Sequence, residues 1–231
     1  GSFIENGEDH GHRGMLHRRA AYSGEVLLML NIVSADREYT ARLEKQTGKG
    51  WKRLLGVQAP YRRHIRKVVE GRVLDVGCGI GRNLQHLDGN GVGVDLNPHS
   101  IEVARSHGLT AYTSDEFAAG PDATMGGYDS LLFAHVLEHM TPEEASSLLG
   151  VYLPYLGNGG RVIVIVPQEA GFRSDPTHVT FLDLDDLMQI EGDHDLVREA
   201  GYSFPLPRSA GRVFTHNETV ALSRKAPSAP L

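Results

Sequence analysis

RVLDVGCGIGRNLQHLDGNGVGVDLN, residues 72–97, contains two short apolar runs separated by a glycine-rich loop and a helical segment. The first run, residues 73–76, predicts a buried parallel strand, and glycines at alternate positions follow it at once. Glycines in such a loop let the backbone turn sharply and approach a ligand without a Cβ in the way. The second run leads into Asp95, whose carboxylate is placed to accept hydrogen bonds from the two ribose hydroxyls of an adenosine ligand.

The glycine spacing and a preceding acid indicate which adenosine ligand binds. Gly77, Gly79 and Gly81 follow a G-x-G-x-G pattern, not the G-x-G-x-x-G pattern that holds a diphosphate at a helix N-terminus. Asp75 stands before the loop, where its carboxylate would repel a diphosphate but suit a cationic ligand. The segment DVGCGIGRN resembles the first motif of the class I S-adenosylmethionine-dependent methyltransferases, which implies S-adenosylmethionine as the cofactor. A tight strand-to-helix turn that binds no ligand is the alternative.

The resemblance also implies cofactor contacts at the ends of consecutive strands. In that family an acid after the third strand accepts the adenine amino group, and here Asp115 is the first choice and Glu116 the second. A helix N-cap formed by Ser114 or Asp115 is an equally open interpretation of the same residues. The other expected cofactor-binding residues are Asp75, Gly77, Cys78, Gly79, Asn83, Asp95, Leu96, Asn97 and Ala134.

Composition and charge limit the class of protein. The 231 residues fit one core domain with an extension, and a hydrophobic content of 40% is ordinary for a globular chain. The net charge of −6 argues against a general nucleic-acid surface. Cys78 is the only cysteine and cannot form an internal disulfide. The apolar run at residues 26–33 is too short to span a bilayer, so we expect a cytoplasmic protein without a membrane partner.

Beyond the quoted stretch, apolar runs alternate with helical patterns, which is typical of a parallel sheet covered by helices on both faces. Strands are predicted near residues 72–76, 91–95, 109–113, 128–133 and 160–166, and helices near residues 81–87, 98–107 and 142–153. Two further strands are predicted in the segments AGYSFPLP and VFTHNETVALSRK. The resemblance implies an α/β, Rossmann-like sheet of seven strands in the order 3-2-1-4-5-7-6, mostly parallel, with the final strand antiparallel.

Four segments are predicted along the chain. Residues 1–16 and 226–231 are expected to be a flexible and a disordered tail, because little in them can be buried. Residues 17–70 carry helical patterns, and residues 71–225 form the methyltransferase core. In the resembled family such N-terminal helices lie over the cofactor and form part of the acceptor pocket. A packing extension that never meets ligand is the alternative for residues 17–70.

A group of ionisable residues follows the fourth predicted strand, in the segment HVLEH. If this segment is helical, spacings of three and four place His135, Glu138 and His139 on one face, where they can ligate a divalent metal. His178, in the loop after the fifth strand, could add a ligand or a base. The arrangement is similar to the E-x-x-E-H…H metal site of small-RNA 2′-O-methyltransferases and to the E-x-x-E-H of ubiquinone-pathway O-methyltransferases. Both families have glutamate where this chain has His135.

Two mechanisms are open for these residues. In the first, a divalent metal such as Mg²⁺ or Mn²⁺ binds Glu138, His139 and His178, and His135 serves as a further ligand or as a base. In the second, no metal is involved, and His139 or His178 acts as the general base.

A histidine-rich site without a visible catalytic lysine or cysteine favours a hydroxyl acceptor, because an alcohol needs a base or a metal to become a nucleophile at neutral pH. The segments DPTHVTF and QAPYRRHIRK resemble small actinobacterial sugar O-methyltransferases, such as the 1-O-methyltransferases of methylmannose polysaccharide synthesis. That resemblance implies a sugar or oligosaccharide acceptor. The alternatives are a quinone or another small metabolite as acceptor, a non-catalytic S-adenosylmethionine-binding partner protein, and an oxidoreductase with an unusual glycine loop.

Overall fold

A computed structural model, which describes residues 58–226, contains one seven-stranded sheet in the order β3-β2-β1-β4-β5-β7-β6. The strands are β1 Val73–Val76, β2 Gly91–Asp95, β3 Ala111–Thr113, β4 Tyr128–Ala134, β5 Leu156–Pro167, β6 Leu196–Phe204 and β7 Glu218–Lys225. Only β7 runs antiparallel to its neighbours β5 and β6, and the other pairs are parallel. The predicted α/β fold and strand order are therefore confirmed.

Helices connect the parallel strands and cover both faces of the sheet. They are α1 Ala59–Val68, α2 Arg82–His86, α3 Pro98–Ser106, α4 Ser114–Ala119, α5 Pro142–Tyr152, α6 Glu169–Phe172 and α7 Leu184–Gly192. Short 3₁₀ turns occur at Leu137–His139, Leu153–Tyr155 and Arg208–Arg212. Thr141 caps α5 with a capping box to Glu144 and is followed by Pro142, which explains why that helix begins where it does.

The core lies on both sides of the sheet, because consecutive residues of a strand point to opposite faces. In β1, Val73 packs into one apolar cluster and Leu74 into the other, and both are fully buried. The cluster that contains Val73 also receives Ile65 and Val68 from α1. The helix before the glycine loop is thus packed onto the core and ends beside the first strand.

Several local predictions need correction. Thr113 caps α4 and forms a capping box with Glu116, so the predicted N-cap by Ser114 or Asp115 is wrong. Strand β5 begins at Leu156, four residues before its predicted start near residue 160, and its register with β4 shifts in this early part. Residues 213–217 are not part of a strand, because β7 begins only at Glu218.

The outer segments lie largely outside the described residues. Of the predicted extension at residues 17–70, the structure describes residues 58–70, which contain α1. The predicted tail at residues 1–16 and all but the first residue of the tail at 226–231 lie outside this range. Within residues 58–226, no helix combines the length and apolar character needed to cross a bilayer.

Candidate active site

The glycine loop joins β1 to α2 at the carboxyl edge of the sheet. The backbone N–H of Gly77 donates to the carbonyl oxygen of Val94 at 2.8 Å, which holds the loop against the end of β2. Gly77 has a φ of 73°, and a Cβ built on it would lie 2.4 Å from a methyl carbon of Val136. A larger residue at this position would therefore meet both backbone strain and a steric clash with the turn after β4.

Asp95, at the end of β2, ties the loop to the second strand. Its two carboxylate oxygens accept backbone N–H groups from Gly79 and Asn97, each at 2.8 Å. Burial raises the pKa of Asp95, although these backbone hydrogen bonds favour the ionised form and oppose the shift. A carboxylate oxygen can accept more than one hydrogen bond, so Asp95 retains the capacity to receive ribose hydroxyls.

Asp75, in β1 just before the loop, is a buried carboxylate that has no cationic partner among residues 58–226. Its side chain is 1% exposed, and within this range neither carboxylate oxygen accepts a well-directed hydrogen bond. Burial raises the pKa of Asp75 to about 7, although the nearby Asn83 carboxamide lowers it somewhat. An unpaired carboxylate in such a place is costly unless a cation or a proton neutralises it. The loop and Asp75 therefore fit a ligand with a positively charged amino group, such as S-adenosylmethionine.

We expect the affinity for S-adenosylhomocysteine, which keeps that amino group, to rise with pH up to about pH 7. Asp75 in the folded chain keeps its proton up to about pH 7, whereas in an unfolded chain its pKa is the ordinary 3.8. Between pH 3.8 and about pH 7 the stability of the unliganded protein therefore falls as the pH rises, whereas a cationic ligand binds the ionised carboxylate. Well below pH 7 the dissociation constant should fall about tenfold for each unit by which the pH is raised. Isothermal titration calorimetry between pH 5.5 and 8 measures this dependence.

The matched variant is Asp75→Asn, which keeps the size of the side chain and removes its charge. It should bind S-adenosylhomocysteine weakly at every pH and lose the steep dependence below pH 7. An unaltered pH profile in this variant would show that Asp75 does not contact the ligand.

Several of the predicted cofactor residues also have structural roles in the fold. The Asn97 side-chain oxygen accepts the backbone N–H groups of His99 and Ser100, so it caps α3. The Cys78 side chain is buried below the loop, where Gly93 leaves room for it, and burial raises the pKa of its thiol well above the usual range. A ligand contact by either residue remains a prediction.

The remaining predicted cofactor residues lie along the same edge of the sheet. Glu116 accepts the backbone N–H of Thr113 and pairs with Arg105 at 2.7 Å, so its carboxylate is already engaged. Asp115 is exposed and stays the better choice for the adenine amino group. The others are Leu96, which is half-buried, Ala134 at the buried end of β4, and Asn83, whose side-chain oxygen lies 3.4 Å from the Tyr61 hydroxyl.

The segment after β4 is not an α-helix, so the shared face that depended on helicity does not form. His135 has a φ of 60°, in the left-handed region, and only Leu137–His139 form a short 3₁₀ turn. The chain has only a few residues for this turn, because α5 is capped at Thr141. Glu138 and His139 still come together with His178.

Glu138, His139 and His178 converge into one group, with one ligand atom from each lying within 4.8 Å of the others. The His139 Nδ1 lies 3.1 Å from the carbonyl oxygen of Thr177, and the His178 Nδ1 lies 2.8 Å from that of Phe172. A carbonyl oxygen can only accept, so each Nδ1 carries the proton. Each Nε2 is left with a lone pair that can bind a metal or accept a proton.

Glu138 is the most deeply buried member of this group. Its side chain is 1% exposed, and in the part of the chain that the structure describes neither carboxylate oxygen receives a well-directed hydrogen bond. The backbone carbonyl of Glu138 accepts the N–H groups of Val179 at 2.8 Å and Thr180 at 3.1 Å, which holds the loop carrying His178 across from it. The His178 Nε2 is 4.0 Å from the nearer Glu138 oxygen. A buried carboxylate facing two bare imidazole nitrogens is suited to a divalent cation.

His135 lies outside this group and is held between two carboxylates. Its Nδ1 is 3.3 Å from Glu138 Oε1, and its Nε2 is 2.9 Å from Glu218 Oε1. Partial desolvation opposes protonation of this side chain, which is 42% exposed, but the neighbouring carboxylates of Glu138 and Glu218 outweigh it and raise the pKa of His135 to about 10. Each ring nitrogen of His135 lies beside a carboxylate and His135 is not part of the Glu138, His139 and His178 group, so its use as a metal ligand or base stays a prediction.

Sequence reasoning missed Glu218 and Tyr61. Glu218 is the first residue of β7 and is 9% exposed. Tyr61 lies on α1, and burial, with added effect from the carboxylates of Glu218, Asp75 and Glu138, raises its pKa well above the usual range. The helix before the core therefore borders the site, but no local pattern marks either residue as functional.

Comparison with known families agrees with this geometry. A sequence-family model described as a methyltransferase domain matches residues 39–209. The ubiquinone biosynthesis O-methyltransferase of Bordetella avium (strain 197N) is 35% identical over 77 residues, which cover 30% of this chain and 32% of that protein. The protein of the same name from Bordetella parapertussis is 36% identical over 83 residues, covering 32% and 34%. The chain thus matches about a third of the length of these curated relatives.

Solved structures share the fold at low identity. A SAM-dependent methyltransferase from Archaeoglobus fulgidus has a TM-score of 0.61 at 21% identity, covering 82% of this chain and 100% of that one. Magnesium protoporphyrin IX methyltransferase from Synechocystis PCC 6803, with bound SAM, has a TM-score of 0.61 at 15% identity, covering 90% and 99%. At these identities the likeness shows the fold alone.

Proposed function

We propose that this chain, which belongs to the methyltransferase-domain family, transfers a methyl group from S-adenosylmethionine to a hydroxyl group of a small molecule. The observation that carries the proposal is the buried Glu138 carboxylate with a ring nitrogen of His139 and one of His178, all within 4.8 Å of one another. This group can activate a hydroxyl, which is a poor nucleophile at neutral pH. The names of the Bordetella relatives also support oxygen as the receiving atom.

The residues around the glycine loop bind the cofactor, and the residues after β4 and β5 act on the acceptor. S-adenosylmethionine supplies a methyl group that is already electrophilic because it is bound to a sulfonium. Asp75 binds the positively charged end of the cofactor, Asp95 orients the ribose, and the glycine loop permits close approach. The chain must then align the acceptor oxygen and remove its proton, which is the task of the Glu138, His139 and His178 group.

We propose that this group holds a divalent metal ion. Glu138 supplies an oxygen ligand, and His139 and His178 supply nitrogen ligands, a mixed set that suits Mn²⁺ or Zn²⁺ better than Mg²⁺. Such an ion would supply the positive charge that lowers the pKa of an acceptor hydroxyl. The metal-free alternative uses the Nε2 of His139 or His178 as the general base, and the same side-chain geometry permits it.

Within the hydroxyl acceptors, two classes are favoured by different observations. Val179, next to His178, is 58% exposed. The Phe172 ring stacks on the His178 ring with 5.3 Å between the ring centroids. An apolar border of this kind favours a phenolic acceptor, because an aromatic ring can pack there. The resemblance to sugar O-methyltransferases favours a sugar or an oligosaccharide. We propose the phenolic class first and the sugar class second.

A panel of phenols and sugars, assayed with labelled S-adenosylmethionine with and without EDTA, tests the proposal. We expect transfer to a hydroxyl acceptor, loss of turnover in EDTA, and recovery when Mn²⁺ is added in excess. Turnover that is unchanged by EDTA would rule out the metal mechanism and leave the general-base mechanism. Methylation only of thiol or carbon acceptors would contradict the hydroxyl proposal itself.

A further inference from the structure

His135 forms a bridge between two buried carboxylates, Glu138 in the 3₁₀ turn after β4 and Glu218 at the start of β7. Its ring nitrogens lie 3.3 Å from Glu138 Oε1 and 2.9 Å from Glu218 Oε1. We propose that His135 and Glu218 are positioning residues that orient the Glu138 carboxylate toward the cation shared with His139 and His178. This inference rests on the proposed metal site and assigns a function to two residues that do not themselves reach the cation.

The bridge is fixed at both ends by the backbone. The N–H of His135 donates to the carbonyl oxygen of Ile165 in β5 at 2.9 Å, while its left-handed φ turns the side chain out of the strand direction. Glu218 pairs with Pro167 at the start of β7, and its carbonyl accepts Gln168 Nε2 at 3.2 Å. Because both residues are anchored beside the end of β5, the imidazole spans a fixed gap between the carboxylates.

With this bridge, every proposed ligand has a partner that orients it. His139 donates through Nδ1 to the Thr177 carbonyl, and His178 does the same to the Phe172 carbonyl. Glu138 lacks such a backbone donor at its carboxylate, and the His135 ring occupies that position. Groups that orient metal ligands in this way commonly change metal affinity by 10- to 100-fold when they are replaced.

Charge and orientation make opposite predictions for the loss of His135. If the ring acted only as a positive charge beside the site, its removal would strengthen cation binding, because a nearby repulsion would disappear. If the ring orients Glu138, its removal should weaken cation binding, because the carboxylate is no longer held. The replacement His135→Asn separates the two cases, since asparagine accepts a left-handed backbone but is too short to reach both carboxylates.

The experiment measures Mn²⁺ binding by isothermal titration calorimetry on the full chain and on the variants His135→Asn, Glu218→Gln and His139→Ala. We expect His139→Ala to abolish binding, and His135→Asn and Glu218→Gln to raise the Mn²⁺ dissociation constant about 10- to 100-fold. The affinity for S-adenosylhomocysteine should stay unchanged in all three, which shows that they fold. His107→Ala, which removes an exposed histidine that contacts Gln85, is the matched control.

The outcomes separate this inference from the proposed function. If the wild-type chain binds no Mn²⁺, the metal proposal fails and the positioning role falls with it. If the wild type binds Mn²⁺ but His135→Asn binds it equally well or more tightly, only the positioning role is overturned. Weaker binding in His135→Asn, with normal binding of S-adenosylhomocysteine, supports both.

Discussion

Replacing His139 with alanine is expected to lower kcat by about 10²- to 10⁴-fold, the usual range for a positioned acid–base group. The loss follows under either mechanism, because the His139 Nε2 is a metal ligand in one and a candidate base in the other. The hydrogen bond between its Nδ1 and the Thr177 carbonyl shows that the ring is oriented for such a role. Steady-state kinetics with the acceptor identified from the panel gives the value.

Two controls test whether the loss of turnover in the His139 variant is specific to that side chain. The dissociation constant of S-adenosylhomocysteine should remain within about twofold of the wild type, because the proposed cofactor residues Asp75 and Asp95 are unchanged. The exposed-histidine variant His107→Ala should keep normal turnover. Should His139→Ala and His178→Ala both retain near-normal turnover, the histidine group is structural and the site assignment is wrong.

The replacement Asp95→Ala is expected to weaken cofactor binding by about 1.5–3 kcal/mol, which is the range for hydrogen bonds to a charged acceptor. The expected loss has two sources in the structure. The ribose hydroxyls lose their acceptor, and the backbone N–H groups of Gly79 and Asn97 lose the carboxylate that holds them at 2.8 Å. Calorimetry with S-adenosylhomocysteine measures the change directly.

Two further variants test whether the lost affinity depends on the carboxylate oxygens of Asp95. Asp95→Asn keeps one acceptor oxygen, so it should lie between the wild type and Asp95→Ala in affinity. Asp193→Ala removes an exposed carboxylate at the end of α7 and should bind the ligand normally. Equal affinity of Asp95→Ala and the wild type would count decisively against the cofactor assignment.

The parts of this protein that could be predicted from sequence depend on local patterns. Residues 72–97 carry strand, glycine loop, helix and strand signals within one short stretch, and the resemblance of that stretch supplied the strand order. The spacing in HVLEH also fits an α-helix, whereas the structure has a 3₁₀ turn at Leu137–His139. A usable signal was present, since the Thr141-Pro142 start of α5 leaves too few residues for a helix between it and β4.

Glu218 could not be found by such patterns, because it is 83 positions away from His135 and no spacing links them. The relevant physical rule is one of topology. An antiparallel strand begins at the edge where its neighbour ends, so the first residue of β7 lies beside the end of β5, at the carboxyl edge of the parallel strands. That a charged residue at this position reaches the site can be inferred only when the strand order is already known.

The placement of β7 between β5 and β6 has a consequence for how the chain folds as it is synthesised. Within the described part of the chain, the only sheet partner of β6 is β7, although β6 leaves the ribosome first. Strand β6 must therefore wait unpaired until the last strand of the sheet inserts, a non-local step of the kind that slows folding. Because Glu218 begins that last strand, its contact with His135 can form only after β7 has been synthesised, when Glu138, His139 and His178 have long left the ribosome.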